Sequence, residues 1–180
     1  MKRRDFINTA ISGATGISLG ASVFSLPACK RGTNDRIVLA LIGAGNRGAG
    51  SIINTCKVNE NVELKSVCDV NDVRIACAVN RIEKELGYRP AKVKNMKEVF
   101  DDRDIDAVWI STPDHWHALA TVWACQAGKE VYVEKTPTTN IWEGRKMIEV
   151  AEKYKSIVQG VIQNRSAPYF FSARNDIKNL

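Results

Sequence analysis

Apolar positions along this chain fall into two alternating rhythms. Short, nearly continuous apolar runs are separated by longer stretches in which apolar residues recur every third or fourth position. The first run, Ile37–Ile42, reads as a strand buried on both faces. A helical stretch over 47–57 follows, with Ile52, Ile53 and Cys56 at helical spacing. The alternation continues with a strand over 62–68 and a helix over 72–86, which carries Ile75, Val79, Ile82 and Leu86 and stops at Gly87. A short strand at 92–93, a short helix at 96–100 and a strand at 106–110 come next, the last halted by Pro113. A helix over 115–127 carries Leu119, Ala120, Trp123 and Ala127, with Gly128 closing it, and leads to a strand at 130–133. Asn140 and Glu143 make a capping-box pattern for a helix ending near Tyr154, and 156–161 forms the last strand. Strands alternating with helices imply an α/β fold, a doubly wound parallel sheet with helices on both faces and right-handed crossovers.

The junction between the first strand and the first helix carries the sharpest chemistry. Its sequence, G-A-G-N-R-G from Gly43 to Gly48, is a G-x-G-x-x-G turn. Gly43 permits the tight turn, Gly45 lets the backbone approach a pyrophosphate, and Gly48 lets the helix pack close to the strand. Free N–H groups of Gly45, Asn46 and Arg47 at the helix N-terminus favour an anion there. Asp69 ends the second strand 21 residues after Gly48, the offset of an acid that binds the ribose hydroxyls of a dinucleotide. The alternative for Asp69 is a cap on the following helix.

Composition and the N-terminus alter this picture in limited ways. With 180 residues and 44% apolar content, the chain has one ordinary domain and a real core. Residues 1–29 are set aside as a leader: Lys2, Arg3 and Arg4 precede a mildly apolar stretch rich in Gly, Ser and Ala, and R-R-D-F-I resembles a twin-arginine export signal. Leu26-Pro27-Ala28-Cys29 resembles a lipobox, so the expected location is periplasmic or membrane-anchored through lipid on Cys29; ordinary cleavage with an unmodified Cys29 is the alternative. Residues 30–35 form a linker. Without the leader the net charge falls to about +4, with basic residues scattered, which speaks against a nucleic-acid partner. Cys56, Cys68, Cys77 and Cys125 show no C-x-x-C spacing and read as buried thiols. His115 and His117 are the only histidines, too few for a metal site, so none is expected. The four tryptophans, Trp109, Trp116, Trp123 and Trp142, read as core packing.

Five segments in order, G-A-G-N-R-G, C-D-V, S-T-P-D-H-W-H-A, A-G-K-E-V-Y-V-E-K and Q-N-R-S, resemble the Gfo/Idh/MocA oxidoreductases, particularly their exported bacterial members. The resemblance covers about 36–166 and implies a Rossmann domain at 36–162 that binds NAD or NADP. It places Ser111, Thr112 and Pro113, with His115 nearby, beside the adenosine and pyrophosphate. His117 matches the histidine of the family's P-x-x-x-H pattern, with helix-start hydrogen bonding or substrate contact as its implied roles. Glu134 and Lys135 match the E-K of an E-K-P motif whose lysine points toward nicotinamide and substrate, where an ammonium can hydrogen-bond a hydroxyl and stabilise oxyanion charge. Thr136 replaces the motif's proline, which the family uses with a cis bond to direct the lysine, so loss of that direction is an expectation here. Asp69 would repel a 2′-phosphate and favours NAD, while Arg74 close by keeps NADP open.

Family members carry a second α/β domain that walls the substrate and often mediates homo-oligomer formation. Residues 163–180 read as the start of that domain, with Tyr169, Phe170 and Phe171 needing a partner surface, so the chain is expected to be truncated. The implied function is an oxidoreductase moving hydride between a carbon of a sugar-like substrate and nicotinamide, with Lys135 and His117 as candidate catalytic groups. An NAD-dependent glycoside hydrolase of the same fold is a second reading, against which the resemblance sets the lysine of the Glu134-Lys135 pair. A non-catalytic dinucleotide-binding module is a third.

Overall fold

A computed structural model describes residues 36–162 together with Tyr169, Phe170, Ser172, Arg174 and Ile177, which are helical and exposed. The expected leader, lipobox and linker, and the Q-N-R-S segment, lie outside the described residues. In chain order the elements are β1 (Ile37–Ile42), α1 (Asn46–Val58), β2 (Val62–Cys68), α2 (Asp72–Leu86), β3 (Ala91–Val93), α3 (Met96–Asp101), β4 (Ala107–Ile110), α4 (Asp114–Gln126), β5 (Glu130–Val133), α5 (Ile141–Tyr154) and β6 (Val158–Gly160). The six strands form one sheet in the order β3-β2-β1-β4-β5-β6, every pair parallel. This is the doubly wound Rossmann sheet, and its strand order reverses direction between β1 and β4.

Successive side chains of a strand point to opposite faces, and β1 shows how that builds three layers. Leu39 and Leu41 face one core with Ile52 and Ile53 of α1 and Ile75, Val79 and Ile82 of α2. Ala40 and Ile42 face the other with Val99 and Phe100 of α3, Ala120 and Ala124 of α4, and Met147 of α5. Helix ends follow local chemistry. Asn71, Asn95 and Asn140 each cap a helix by accepting a backbone N–H, and Gly87 takes the left-handed conformation (φ 78°) that ends α2. The carboxylate of Glu143 reaches back to the N–H and hydroxyl of Thr139, one residue before the cap it was expected to complete.

Three expectations about the core change. Helix α4 buries His117, Ala118, Ala120, Thr121, Ala124 and Cys125, whereas Leu119 is 41% exposed and Ala127 is also exposed. The buried face is chosen by small residues that let α4 approach β4 and β5, not by its largest apolar side chains. Of the tryptophans, only Trp109 is buried, stacked on Tyr132 at 3.7 Å between ring centroids. Trp142 is 67% exposed on α5. Cys68 and Cys125 are buried, Cys56 is partly so, and Cys77 is exposed on α2, contrary to a uniform set of buried thiols. The last strand is three residues long, shorter than the six expected.

Candidate functional site

The C-terminal ends of β1, β2 and β4 open onto a cavity of about 550 Å³ beside the point where the strand order reverses. Parallel sheets bind ligands there because the loops diverge and leave a crevice. Gly43 leaves β1 with φ +99°, and a β-carbon on it would sit 2.5 Å from the carbonyl oxygen of Ser111. A β-carbon on Gly48 would lie 2.5 Å from the carbonyl oxygen of Gly43, so only glycine lets α1 start this close to the sheet. Gly45 differs: φ is −67°, and nothing lies within 4 Å of where its β-carbon would be. The space in front of Gly45 is open. Gly45 is also the N-cap of α1 and offers no side-chain cap, and the helix's first turn holds no acidic residue. The N–H groups of the first turn of α1 therefore lack a side-chain cap, and the positive end of the helix dipole lies behind them.

Asp69 follows β2 directly and does not cap α2, a task taken by Asn71. Its Oδ2 accepts from the Ala44 N–H at 2.8 Å and its Oδ1 from the Asn71 N–H at 2.9 Å. The carboxylate therefore braces the glycine turn from the neighbouring strand, and each oxygen keeps a lone pair for ribose hydroxyls. Ser111, Thr112 and Pro113 follow β4 and line the same cavity. The opposite wall is built by Met96 and Lys97 of α3, which motif reading did not reach, and by Trp116 and Trp123 of α4, which were expected in the core. The two tryptophans are seven residues apart, two helical turns, and this spacing is the signal that could have placed them on one face. The Lys97 ammonium lies 5.8 Å from the Trp123 ring centroid. Val70 and Arg74 complete the rim near Asp69.

Asn46, Arg47, His115, Glu134 and Lys135 stand outside this cavity's lining. Asn46, His115 and Lys135 are exposed. Glu134 is buried, and its Oε2 accepts from the Arg47 Nε at 3.0 Å, joining the end of β5 to the first turn of α1. His117 is only 1% exposed. Its Nδ1 faces the carbonyl oxygen of Thr136 at 2.6 Å and its Nε2 that of Thr112 at 2.8 Å. With both nitrogens occupied by backbone, His117 is a tie between two loops and does not present a ring edge to a substrate. The Lys135–Thr136 peptide is cis. Among the described residues no group of three or more His, Cys, Asp or Glu side chains could hold a metal ion, and no helix is long and apolar enough to cross a membrane.

The residues present fit a dinucleotide: an open glycine cradle, an uncapped helix N-terminus and a carboxylate at the second strand's end. Comparison with known proteins agrees. The model of the oxidoreductase family with an NAD-binding Rossmann fold, Gfo/Idh/MocA, matches residues 37–161. An alpha-N-acetylgalactosaminidase of Shewanella oneidensis is 33% identical over 148 residues, 80% of this chain and 31% of that protein. The myo-inositol 2-dehydrogenase of Lactobacillus plantarum superposes with a TM-score of 0.66 at 26% identity, over 80% of this chain and 41% of its own. The WlbA dehydrogenase of Chromobactrium violaceum, crystallised with NADH and UDP-GlcNAcA, gives a TM-score of 0.62 at 28% identity, over 73% of this chain and 36% of its own. The chain thus spans about a third of the length of the curated relatives it matches. It belongs to the Gfo/Idh/MocA oxidoreductase family and carries that family's NAD-binding Rossmann domain.

Proposed function

We propose that the chain is the nucleotide-binding part of an NAD-dependent oxidoreductase acting on a sugar or cyclitol. The observation that carries this reading is the placement, along one edge of the sheet, of the open cradle at Gly45, the braced carboxylate of Asp69 and the exposed ammonium of Lys135. When bound, NAD supplies the hydride acceptor, and the protein supplies orientation and electrostatics. Gly45 lets the diphosphate approach the α1 N–H groups, in a turn that Gly43 and Gly48 shape. Asp69 takes the adenosine ribose hydroxyls and disfavours a 2′-phosphate. Lys135 hydrogen-bonds the substrate hydroxyl and stabilises the negative charge that develops on its oxygen. A dehydrogenase of inositol and one crystallised with a nucleotide-linked uronic acid derivative among the structural relatives support a polyhydroxylated substrate.

A second reading is favoured by a specific finding: the curated relatives include an alpha-N-acetylgalactosaminidase and several proteins of glycosyl hydrolase family 109. Under that reading the same cofactor site serves cleavage of a glycoside. A full-length relative retaining these residues, assayed with an aryl α-N-acetylgalactosaminide and separately with free sugars and cyclitols, distinguishes them. NADH accumulation with free substrates supports the dehydrogenase; aryl release without net NADH supports the glycosidase. Fluorescence titration of this chain with NADH tests the shared foundation, and no binding would sink both. Export by a twin-arginine route, with lipid on Cys29, completes the proposal and is tested by the mass and cell fraction of the mature N-terminus.

A further inference from the structure

Lys135 is exposed and flexible by type, yet both of its chain neighbours are anchored. On one side, Glu134 is almost wholly buried, with a side chain 6% exposed, and a carboxylate so placed is costly unless a cation satisfies it. Arg47 provides that cation through Nε, across 87 residues of sequence. Arg47 itself sits in the first turn of α1, where the helix dipole disfavours a positive charge. The pair is therefore mutually required: without Glu134 the guanidinium has no reason to rest there, and without Arg47 the carboxylate is buried unpaired. On the other side, the Thr136 carbonyl meets His117 Nδ1, while the same ring meets the Thr112 carbonyl through Nε2. Carbonyl oxygens only accept, so the doubly protonated ring donates to both and either neutral tautomer to one.

We infer that Glu134 and His117 are positioning residues that register Lys135 against the two cofactor-facing loops, one tether running to the glycine turn through Arg47 and the other to the β4–α4 loop at Thr112. The value of the arrangement to the chemistry rests on the reading of Lys135 as the group facing nicotinamide and substrate. A side chain on an untethered loop would sample many directions. One whose neighbours on both sides are fixed to the cofactor's own binding loops keeps a constant offset from it, and a misplacement of about 1 Å costs on the order of a hundredfold in rate.

The test is the rate at which an amine-reactive acetylating reagent modifies Lys135 in the whole chain, quantified by peptide mass spectrometry against exposed Lys153 and Lys155 as internal standards. Arg47→Ala and Glu134→Gln are each expected to raise Lys135 labelling in the absence of NADH at least threefold without moving the standards, and Arg47→Lys to restore part of the protection. A purely electrostatic effect would move the two variants in opposite directions, since one removes a cation and the other an anion. His117→Gln, which can serve one carbonyl at a time, is expected to give an intermediate rate. Far-UV circular dichroism and thermal melts identify folded variants, and half-exposed Arg47 carries the test if Glu134→Gln does not fold. Unchanged Lys135 labelling in folded Arg47→Ala and His117→Gln overturns the tethers. Protection of Lys135 by saturating NADH in the wild-type chain reads the underlying assignment separately: its absence while NADH binds would remove Lys135 from the cofactor's side and leave the tethers standing.

Discussion

A β-carbon on Gly48 would lie 2.5 Å from the carbonyl oxygen of Gly43, whereas one on Gly45 would touch nothing within 4 Å. Gly43 and Gly48 therefore serve the fold, and Gly45 is spare to it. Gly48→Ala forces α1 away from the turn and is expected to cost about 1–3 kcal/mol, the usual range for overpacking. Gly45→Ala, with an ordinary φ, is expected to leave stability within about 0.5 kcal/mol of wild type and to weaken NADH binding at least tenfold. Thermal melts and fluorescence titrations on the two variants check this, and equal loss of stability in both would contradict it.

The carboxylate of Asp69 braces the glycine turn and lines the cavity. Asp69→Asn keeps one acceptor oxygen and loses one of the two backbone bonds, at about 1 kcal/mol. Under the proposed NAD reading it also removes the charge that repels a 2′-phosphate. The ratio of NADPH to NADH dissociation constants is expected to fall at least fivefold in Asp69→Asn and to rise in Arg74→Ala, which removes the cation on the same rim. An unchanged ratio in Asp69→Asn would assign cofactor choice to another group.

Most elements were legible because their signals are local. The β-branched run Ile37–Ile42 has one stable environment, a strand covered on both faces, and the Gly87 and Asn140 signals act within one helical turn. Misreadings came where packing chose between local options. Leu119 and Trp116 are larger than Ala120 and Ala124, but only the small residues let α4 lie close to the sheet, so the larger ones turned outward. Asp69 and Asn71 are both good caps two residues apart, and only the position of Ala44 N–H separates their roles. The Arg47–Glu134 pair joins positions 87 residues apart, and nothing in either neighbourhood announces the other.

Thiol chemistry follows the same burial pattern. Burial, with help from the Asp69 and Glu98 carboxylates, pushes the Cys68 thiol up to about 12. Burial also raises Cys125, against a hydrogen bond with Ser156, and Cys56, against one with Tyr88. Cys77 is exposed. Among these four, iodoacetamide at pH 8 is expected to modify Cys77 first, with Cys68 and Cys125 at least a hundredfold slower, and denaturant to abolish the order. The raised Cys68 value carries a stability consequence. Its contribution is complete below the ordinary thiol value near 9 and is lost as pH rises toward 12, so unfolding midpoints fall across that alkaline interval. Peptide mapping of alkylated cysteines and urea melts between pH 8 and 11 measure both.

The acid side is governed by carboxylates held below their usual range. Asp102 is lowered chiefly by the Lys65 ammonium, 2.8 Å from Oδ2, which outweighs partial burial and is assisted by the Asp104 N–H. Glu143 is lowered by the Thr139 N–H and hydroxyl. A lowered carboxylate contributes stability above its unfolded value, and that contribution is lost as pH falls through the folded one, so these interactions support the fold at neutral pH and fail in acid. Lys65 is raised by the carboxylates of Asp102 and of Asp104, whose Oδ2 lies 2.9 Å from Nζ, and its share disappears only as pH climbs past the lysine range. Because the side chains of Lys65 and Asp102 are both about a third exposed, solvent screening keeps the pair near the surface-bridge range, about 0.2–1 kcal/mol. A double-mutant cycle of Asp102→Asn and Lys65→Met is therefore expected to give a coupling of that size at pH 7 in low salt. It should shrink as pH falls through the lowered range of the Asp102 carboxylate, and in 1 M salt. Lys129 donates to the Asp102 backbone carbonyl, which Asp102→Asn keeps, so the loop around it stays in place in the variant. A coupling that survives in 1 M salt would show that packing of the Lys65 stem, and not its charge, links β2 to the loop before β4.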